Sequence, residues 1–198
     1  MSRPSLILAS KSSSRRAMLD AAGVSYSALP ADLDERVIEN GLNGCSADEI
    51  AQALAVAKAQ AVAAQNKGAL VLGSDSLVVV DGQRFDKPTS RENAAEHLRI
   101  FSGRVMELHS AAALVRDDIC EWSENSVAQL HVRELSDSFI DHYLEQEWPE
   151  VGYCAGAFRI EAMGVQLFDR IEGDQFTVLG MPLLGVLGAL RELGALPA

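Results

Sequence analysis

One carboxylate in the middle of a long apolar run constrains this sequence more than any other feature. Gly73-Ser74-Asp75-Ser76 separates Leu70-Val71-Leu72 from Leu77-Val78-Val79-Val80. A run this rich in β-branched residues predicts a buried strand. Because an unpaired buried carboxylate costs several kcal/mol, Asp75 indicates a metal ligand or a catalytic group. The alternative is a carboxylate at a strand end that caps the following turn.

Apolar and turn-forming residues predict strands that alternate with helices along most of the chain. Asp81-Gly82 is typical of a tight hairpin turn, and Lys87-Pro88 follows it on a short return strand or loop. Ser46-Ala47-Asp48-Glu49 predicts a capping box at the start of a long helix. Strands are predicted at 6–9, 24–29, around Asp75, 105–115, 126–132, 165–168 and 176–179, and helices at 15–23, 46–65, 90–103, 136–146 and 183–193.

The order of these elements predicts the fold class. Some neighbouring strands form hairpins and others are separated by helices, so we expect an α/β protein with a mixed β-sheet flanked by helices. The 198 residues suffice for one full-sized core or for two small lobes. No repeat, low-complexity tract or linker interrupts the chain, so residues 1–198 are predicted to form a single domain.

The charge balance argues against two classes of partner. The chain has 28 acidic and 17 basic residues, and its formal net charge is −11. Binding to a nucleic acid polymer or to an anionic membrane depends on Lys and Arg, so neither partner is expected. No stretch reaches transmembrane length. Three widely spaced cysteines without metal-ligand spacing indicate a reduced, cytoplasmic protein.

The first predicted strand leads into a serine-rich loop, residues 10–14, and then into Arg15 and Arg16. Serine hydroxyls, backbone N–H groups and a helix N-terminus together form an anion site, and the arginines add fixed positive charge. The spacing is not that of a Walker A loop. The alternative is an ordinary helix N-cap with two solvated arginines.

A second cluster is acidic. Asp32, Asp34 and Glu35 follow a predicted strand, and oxygen ligands of this kind suit Mg²⁺ or Mn²⁺. The alternative is a solvated acidic loop, which is common in so acidic a protein. Cys154 could serve as a nucleophile, although a small buried thiol is the more common role for such a residue.

Two lysines complete the set of candidate residues. Lys58 lies on a helical pattern, and Lys87 follows the predicted hairpin. Each alone would be a surface lysine by default. Together with Arg15 they would supply the positive charge that a triphosphate requires.

These segments, in order, resemble the motifs of the Maf proteins, a family of nucleoside triphosphate pyrophosphatases once called septum formation inhibitors. The similarity covers essentially the whole chain. Residues 8–16 resemble LASxSPRR, 32–35 DxDE, 54–59 LAxxKA, 73–88 SDT…DG…KP, and 155–183 AGxF…IEGD…GLPL.

The resemblance implies an elongated fold like that of the inosine triphosphatases, with two lobes around a central cleft and often a homodimer. It implies hydrolysis of a nucleoside triphosphate to the monophosphate and pyrophosphate with a divalent metal, Mg²⁺ or Mn²⁺, as a means of clearing modified or non-standard nucleotides. Asp75 matches the catalytic proton acceptor, and Glu35 matches a metal-binding or water-positioning carboxylate; the two would share the metal. The positions that match phosphate contacts are Ser10, Arg15, Lys58 and Lys87.

Three positions depart from the family pattern and resemble its specificity determinants. Ser14 stands where the motif has Arg or Trp, and Ser76 stands where it has Thr or Gln. Glu161 matches a subgroup linked to 7-methyl-GTP, whereas another subgroup has Gln there. A carboxylate can accept hydrogen bonds from a guanine-like N–H edge, which favours a purine or methylated purine.

Two other functions remain open at this stage. One is a regulatory protein of cell division that binds a nucleotide or a partner with little turnover. The other is a phosphatase of small phosphate esters, against which the number of basic positions argues.

Overall fold

The computed structural model describes residues 4–197, and within them seven strands form one mixed sheet in the order β2-β1-β3-β5-β6-β7, with β4 paired to β3. The strands are β1 (Leu6–Leu8), β2 (Ser27–Ala28), β3 (Leu70–Val80), β4 (Gln83–Phe85), β5 (Val105–Arg116), β6 (Ile119–Val132) and β7 (Phe168–Glu172). The α-helices are α1 (Ser13–Ala21), α2 (Glu35–Asn40), α3 (Ala47–Ala63), α4 (Arg91–Phe101), α5 (Asp137–Glu147), α6 (Gln175–Val178) and α7 (Leu183–Glu192). The predicted mixed α/β class is confirmed.

The chain divides into two compact units, and each is assembled from separate segments. The first unit holds the residues up to Ser76, Ser110–Ser126, and the residues from Asp174 onward. The second unit holds Leu77–His109 and Val127–Gly173. The single domain, the central cleft and the likeness to inosine triphosphatases stay predictions.

In the first unit, β1 pairs in parallel with β2 and with β3. Successive side chains of a strand point to opposite sides, and both faces of β1 and β3 are buried. One face packs in a core with α1 and α7 that includes Leu8, Leu72 and Leu190. The other face, with Ile7 and Val71, packs against α3. A strand buried on both faces explains the nearly continuous apolar run of β3.

In the second unit, the predicted hairpin is confirmed. Val80 of β3 is opposite Gln83 of β4 in an antiparallel pair. Asp81 and Gly82 form the two-residue turn with φ values of 50° and 75°. Two positive φ values in succession define the turn type that suits the right-handed twist of a hairpin.

Two of the predicted strands are wrong. Residues 163–167 form a 3-10 helix, and β7 begins only at Phe168. The segment Gln175–Val178 is a short helix, because the Asp174 carboxylate accepts a hydrogen bond from Thr177 N and caps it. This cap outweighs the strand preference of the aromatic and β-branched residues, which is weak over four residues.

Helices otherwise lie close to their predicted positions. The Ser46 capping box is present, with Glu49 N donating to Ser46 Oγ and Ser46 N donating to Glu49 Oε2. The acidic segment before it holds an additional helix, α2, whose N-cap is Asp34. Among residues 4–197, no helix combines the length and the apolar character needed to cross a membrane.

Candidate active site

Asp75 lies in the middle of β3, and the whole residue is only 7% exposed to solvent. The alternative of a carboxylate at a strand end is therefore wrong. Because β3 is buried on both sides of this position, the carboxylate is held on a backbone with little freedom to move. Its charge requires a partner at this depth.

Lys58 supplies that partner and joins two carboxylates. Its ammonium group donates to Asp75 Oδ1 and lies 2.9 Å from Glu35 Oε1. The Lys58 and Asp75 side chains are 13% and 10% exposed, whereas the Glu35 side chain is 47% exposed. Helices α2 and α3 and strand β3 thus bring together three residues that are spread over positions 35–75 of the chain. The structure unites them in one ionic cluster that is open to solvent at Glu35.

A glycine allows α3 to lie close enough to β3 for this contact. A Cβ atom at Gly73 would lie 2.8 Å from Ala59 N and closer still to the Ala55 carbonyl oxygen. Only a residue without a side chain fits there. Gly73 and Asp75 are two residues apart and therefore point to the same face of β3, toward α3.

Arg15 lies against the other face of β3. Its guanidinium donates to Gly180 O at 2.8 Å from Nε, to Ser74 O at 2.9 Å from Nη1 and to Ser76 Oγ at 3.0 Å from Nη2. Desolvation lowers the pKa of Arg15, and the negative charges of Asp75 and Glu35 oppose that change. An arginine nevertheless stays charged at any physiological pH.

The serine-rich loop contains both an ordinary helix cap and a buried hydroxyl. Ser12 caps α1 by accepting a hydrogen bond from Arg15 N at 3.4 Å, whereas Arg16 is exposed. Ser10 is 7% exposed, and its Oγ accepts from Ser12 N and from Arg15 Nη1. Ser14 lies in the first turn of α1 and is partly buried. The structure thus brings Ser10 together with Arg15, and the ordinary N-cap is also present.

Two predicted site residues belong to the second unit. Lys87 and Glu161 are both exposed. Both act on the thiol of Cys154: burial raises the pKa of that thiol, Glu161 raises it further and Lys87 opposes this. Lys87 and Glu161 therefore share one neighbourhood around Cys154. A buried thiol with a raised pKa is a poor nucleophile.

The acidic cluster predicted as a metal site is only partly assembled. Asp34 caps α2 through Arg36 N at 3.0 Å, and Asp32 is exposed. No group of three or more His, Cys, Asp or Glu side chains within residues 4–197 is placed to hold a metal ion. Glu35 and Asp75 converge on the same ammonium group. Two carboxylates suit Mg²⁺ or Mn²⁺ in a site where substrate phosphates provide further oxygens, so the donor chemistry fits.

Sequence analysis missed the groups that surround Ser76. Its Oγ lies 2.9 Å from both Gly180 O and Ser110 Oγ, and Ser110 in turn donates to Thr177 O at 2.9 Å. Ser110 and Thr177 are almost completely buried. Gly180, with a φ of 100°, offered the one available signal, since a glycine directly after a predicted strand indicates a special backbone conformation.

Comparisons with known proteins agree with this arrangement of motifs. The family model for Maf-like proteins matches residues 5–193. The chain belongs to the Maf family. A relative from Rhizobium meliloti strain 1021, named 7-methyl-GTP pyrophosphatase, is 47% identical over 99% of this chain and 100% of its own length. A second Maf relative, from Nitrobacter hamburgensis, is named nucleoside triphosphate pyrophosphatase and is 46% identical over 96% of this chain and 95% of its own.

Among solved structures, the chain is similar to a HAM1 protein from Coxiella burnetii. The TM-score is 0.44 and the sequence identity 18%, over 65% of this chain and 73% of that one. The family assignment rests on the Maf family match and on the relatives of similar length.

Proposed function

We propose that this Maf protein hydrolyses the α–β phosphoanhydride bond of nucleoside triphosphates and releases the monophosphate and pyrophosphate. The observation that carries the proposal is the ionic cluster of Asp75, Lys58 and Glu35. A buried carboxylate on a rigid strand, paired with a cation, is suited to act as a general base. The names of the two Maf relatives support the same reaction.

In the proposed reaction, Asp75 accepts the proton of a water molecule. The water oxygen forms a bond to the α-phosphorus. The bond from this phosphorus to the bridging oxygen breaks, and its electron pair leaves with pyrophosphate. Ser10, Lys58 and Lys87 would contact the phosphates and take up negative charge as it develops on their oxygens. Arg15 adds a fixed positive charge near Asp75 and Glu35.

Glu35 and Asp75 would hold a divalent cation, Mg²⁺ or Mn²⁺, together with the substrate phosphates. When bound, the cation would withdraw charge from the phosphate oxygens and lower the pKa of a bound water. In the protein alone, Lys58 balances part of the charge of these two carboxylates.

The proposed substrate class includes methylated purine nucleotides. Glu161 is an exposed carboxylate in the neighbourhood of Lys87 and Cys154, and it can accept hydrogen bonds from a purine N–H edge. Ser14 and Ser76 occupy the other two positions that the family resemblance links to specificity. We place the reaction in the cytoplasm because all three cysteines are free thiols, as expected in a reducing compartment. The homodimer implied by the family resemblance stays a prediction.

The test is pyrophosphate release by the purified protein across standard, deaminated and 7-methylated nucleoside triphosphates, with Mg²⁺ or Mn²⁺ and with EDTA. We expect metal-dependent release with 7-methyl-GTP among the best substrates. Release of inorganic phosphate alone would contradict the assigned bond. Nucleotide binding without any release would contradict the proposed reaction and favour a regulatory role in cell division.

A further inference from the structure

We infer that Arg15 is a positioning residue that holds the backbone on both sides of Asp75, rather than a ligand of the substrate phosphates. This inference rests on the proposed function and deepens it. It changes the role that the family resemblance implies for Arg15, and it also changes how Ser76 would influence the reaction.

The acceptors of the Arg15 guanidinium lie on both sides of Asp75 in the chain. Arg15 donates to the backbone oxygen of Ser74 and to the hydroxyl of Ser76, the two residues that flank Asp75. It also donates to Gly180 O, and Gly180 O accepts from the hydroxyls of both flanking serines. The segment around Asp75 is thus fixed through its neighbours, on the face opposite to the carboxylate.

Most of the N–H donors of Arg15 already have acceptors within the protein. A guanidinium has five N–H groups. Arg15 uses one on Nε, two on Nη1, for Ser74 O and Ser10 Oγ, and one on Nη2, which makes four. A bidentate grip on a phosphate needs two adjacent N–H groups. Arg15 could provide them only by giving up at least one of these contacts, the weakest being the 3.4 Å contact to Ser10 Oγ.

The Ser76 hydroxyl is also surrounded by partners within the protein. A hydroxyl has one donor and two acceptor sites. Ser76 Oγ already contacts Gly180 O, Ser110 Oγ and Arg15 Nη2, all within 3.0 Å. Its single proton goes to Gly180 O or Ser110 Oγ, so Ser76 has no hydrogen to donate to a nucleobase, and three partners already surround its oxygen. The residue at this position therefore affects the reaction through the position of Arg15 and of β3, and not by touching the base.

The experiment compares Arg15→Lys with wild-type protein and with Arg16→Lys, which changes the neighbouring exposed arginine. Each protein is measured for kcat, for KM and for inhibition by pyrophosphate, and its melting temperature is recorded. Lysine keeps the charge but cannot reach three acceptors at once. We expect kcat to fall by about tenfold or more while KM and the pyrophosphate inhibition constant stay within about twofold, because the loss affects the transition state alone.

A rise of about tenfold in KM and in the pyrophosphate inhibition constant, with kcat unchanged, would show a phosphate ligand and overturn the inference. If Arg15→Lys does not fold, Ser76→Ala replaces it, since this variant removes one acceptor of Arg15 and leaves the other three, Gly180 O, Ser74 O and Ser10 Oγ. It should lower kcat with unchanged ranking of the bases, and an altered ranking with unchanged kcat would overturn the inference. Wild-type protein without pyrophosphate release would overturn the proposed function as well, so the two failures are distinguishable.

Discussion

The two faces of β3 at Asp75 carry different kinds of polar contact. On the α3 face, two carboxylates share one ammonium group, and one of the carboxylates is open to solvent. On the opposite face, Arg15 and the hydroxyls of Ser74 and Ser76 converge on neutral oxygens, chiefly Gly180 O. The first arrangement is ionic and incomplete, and the second is a closed hydrogen-bond network.

This difference indicates that the α3 face carries the reacting groups, whereas the opposite face holds β3 in place. The two carboxylates can exchange the shared ammonium for a metal ion, and the ammonium can exchange a carboxylate for a phosphate, as a hydrolytic site requires. A network in which most buried donors already have acceptors gains little from a ligand and resists rearrangement. One strand therefore presents Asp75 to the reaction on one side and is anchored on the other.

The largest expected effect follows from removing the shared cation. Lys58→Met removes the ion-pair partner that Asp75 and Glu35 share, and breaking a buried pair in this way costs about 3–5 kcal/mol. Pyrophosphate release should fall as well. Urea unfolding measures the stability change.

The control for this variant is Lys67→Met. The Lys67–Asp118 pair spans 3.5 Å, and its side chains are 62% and 85% exposed. Such a surface pair contributes at most about 1 kcal/mol. Equal stability losses in the two variants would contradict the view that the α3 face depends on a buried ionic cluster.

The next effect concerns the distance between α3 and β3. Gly73→Ala introduces a methyl group against Ala55 O and Ala59 N, and overpacking of this kind costs about 1–3 kcal/mol. It should also move Lys58 away from Asp75 and reduce kcat. Thermal unfolding and pyrophosphate release measure the two effects.

Gly188→Ala is the matched control, and it should raise the unfolding free energy rather than lower it. Gly188 lies within α7, and a Cβ atom there meets nothing within 4 Å. Alanine in a helix is favoured over glycine by about 0.8–1.0 kcal/mol. A stable, active Gly73→Ala protein would mean that α3 need not approach β3 so closely.

The smallest effect belongs to the outer part of the network on the opposite face. Ser110→Ala removes the hydroxyl that joins Ser76 to Thr177 O. The loss of such a hydrogen bond costs about 0.5–1.5 kcal/mol. We expect a small drop in unfolding free energy and an unchanged KM, whereas Ser138→Ala, at an exposed position of α5, should change neither. A raised KM for Ser110→Ala would place substrate on this face.

Local sequence signals predicted the elements that depend on local physics. The Ser46 capping box and the Asp81-Gly82 turn were both identifiable from adjacent residues, and both are confirmed. The strand predicted at 176–179 was wrong because Asp174, just outside the apolar run, caps a helical turn instead. A four-residue apolar run does not have enough periodicity to distinguish the two outcomes.

The candidate site shows the same limit. Asp75 was singled out by its apolar flanks, Glu35 by its acidic cluster and Lys58 by its helical pattern. The family resemblance added a role for each, and the structure brings the three together. The partners of Arg15 could not be predicted, because Gly180 is 165 residues away in the chain and contributes only a carbonyl oxygen. Every residue has a backbone carbonyl oxygen, so the residue type does not indicate which one accepts a hydrogen bond. The close approach at Gly73 likewise depends on the packing of α3, which no local pattern specifies.

The most direct test of the account compares Asp75→Asn with wild-type protein in single-turnover pyrophosphate release, with nucleotide affinity and melting temperature measured on the same samples. The amide keeps the shape of the carboxylate but cannot accept the proton of water. We predict a release rate that is about 10²- to 10⁴-fold lower, the usual contribution of a general base, in a folded protein that still binds the nucleotide. A release rate close to that of the wild-type protein would contradict the role assigned to Asp75.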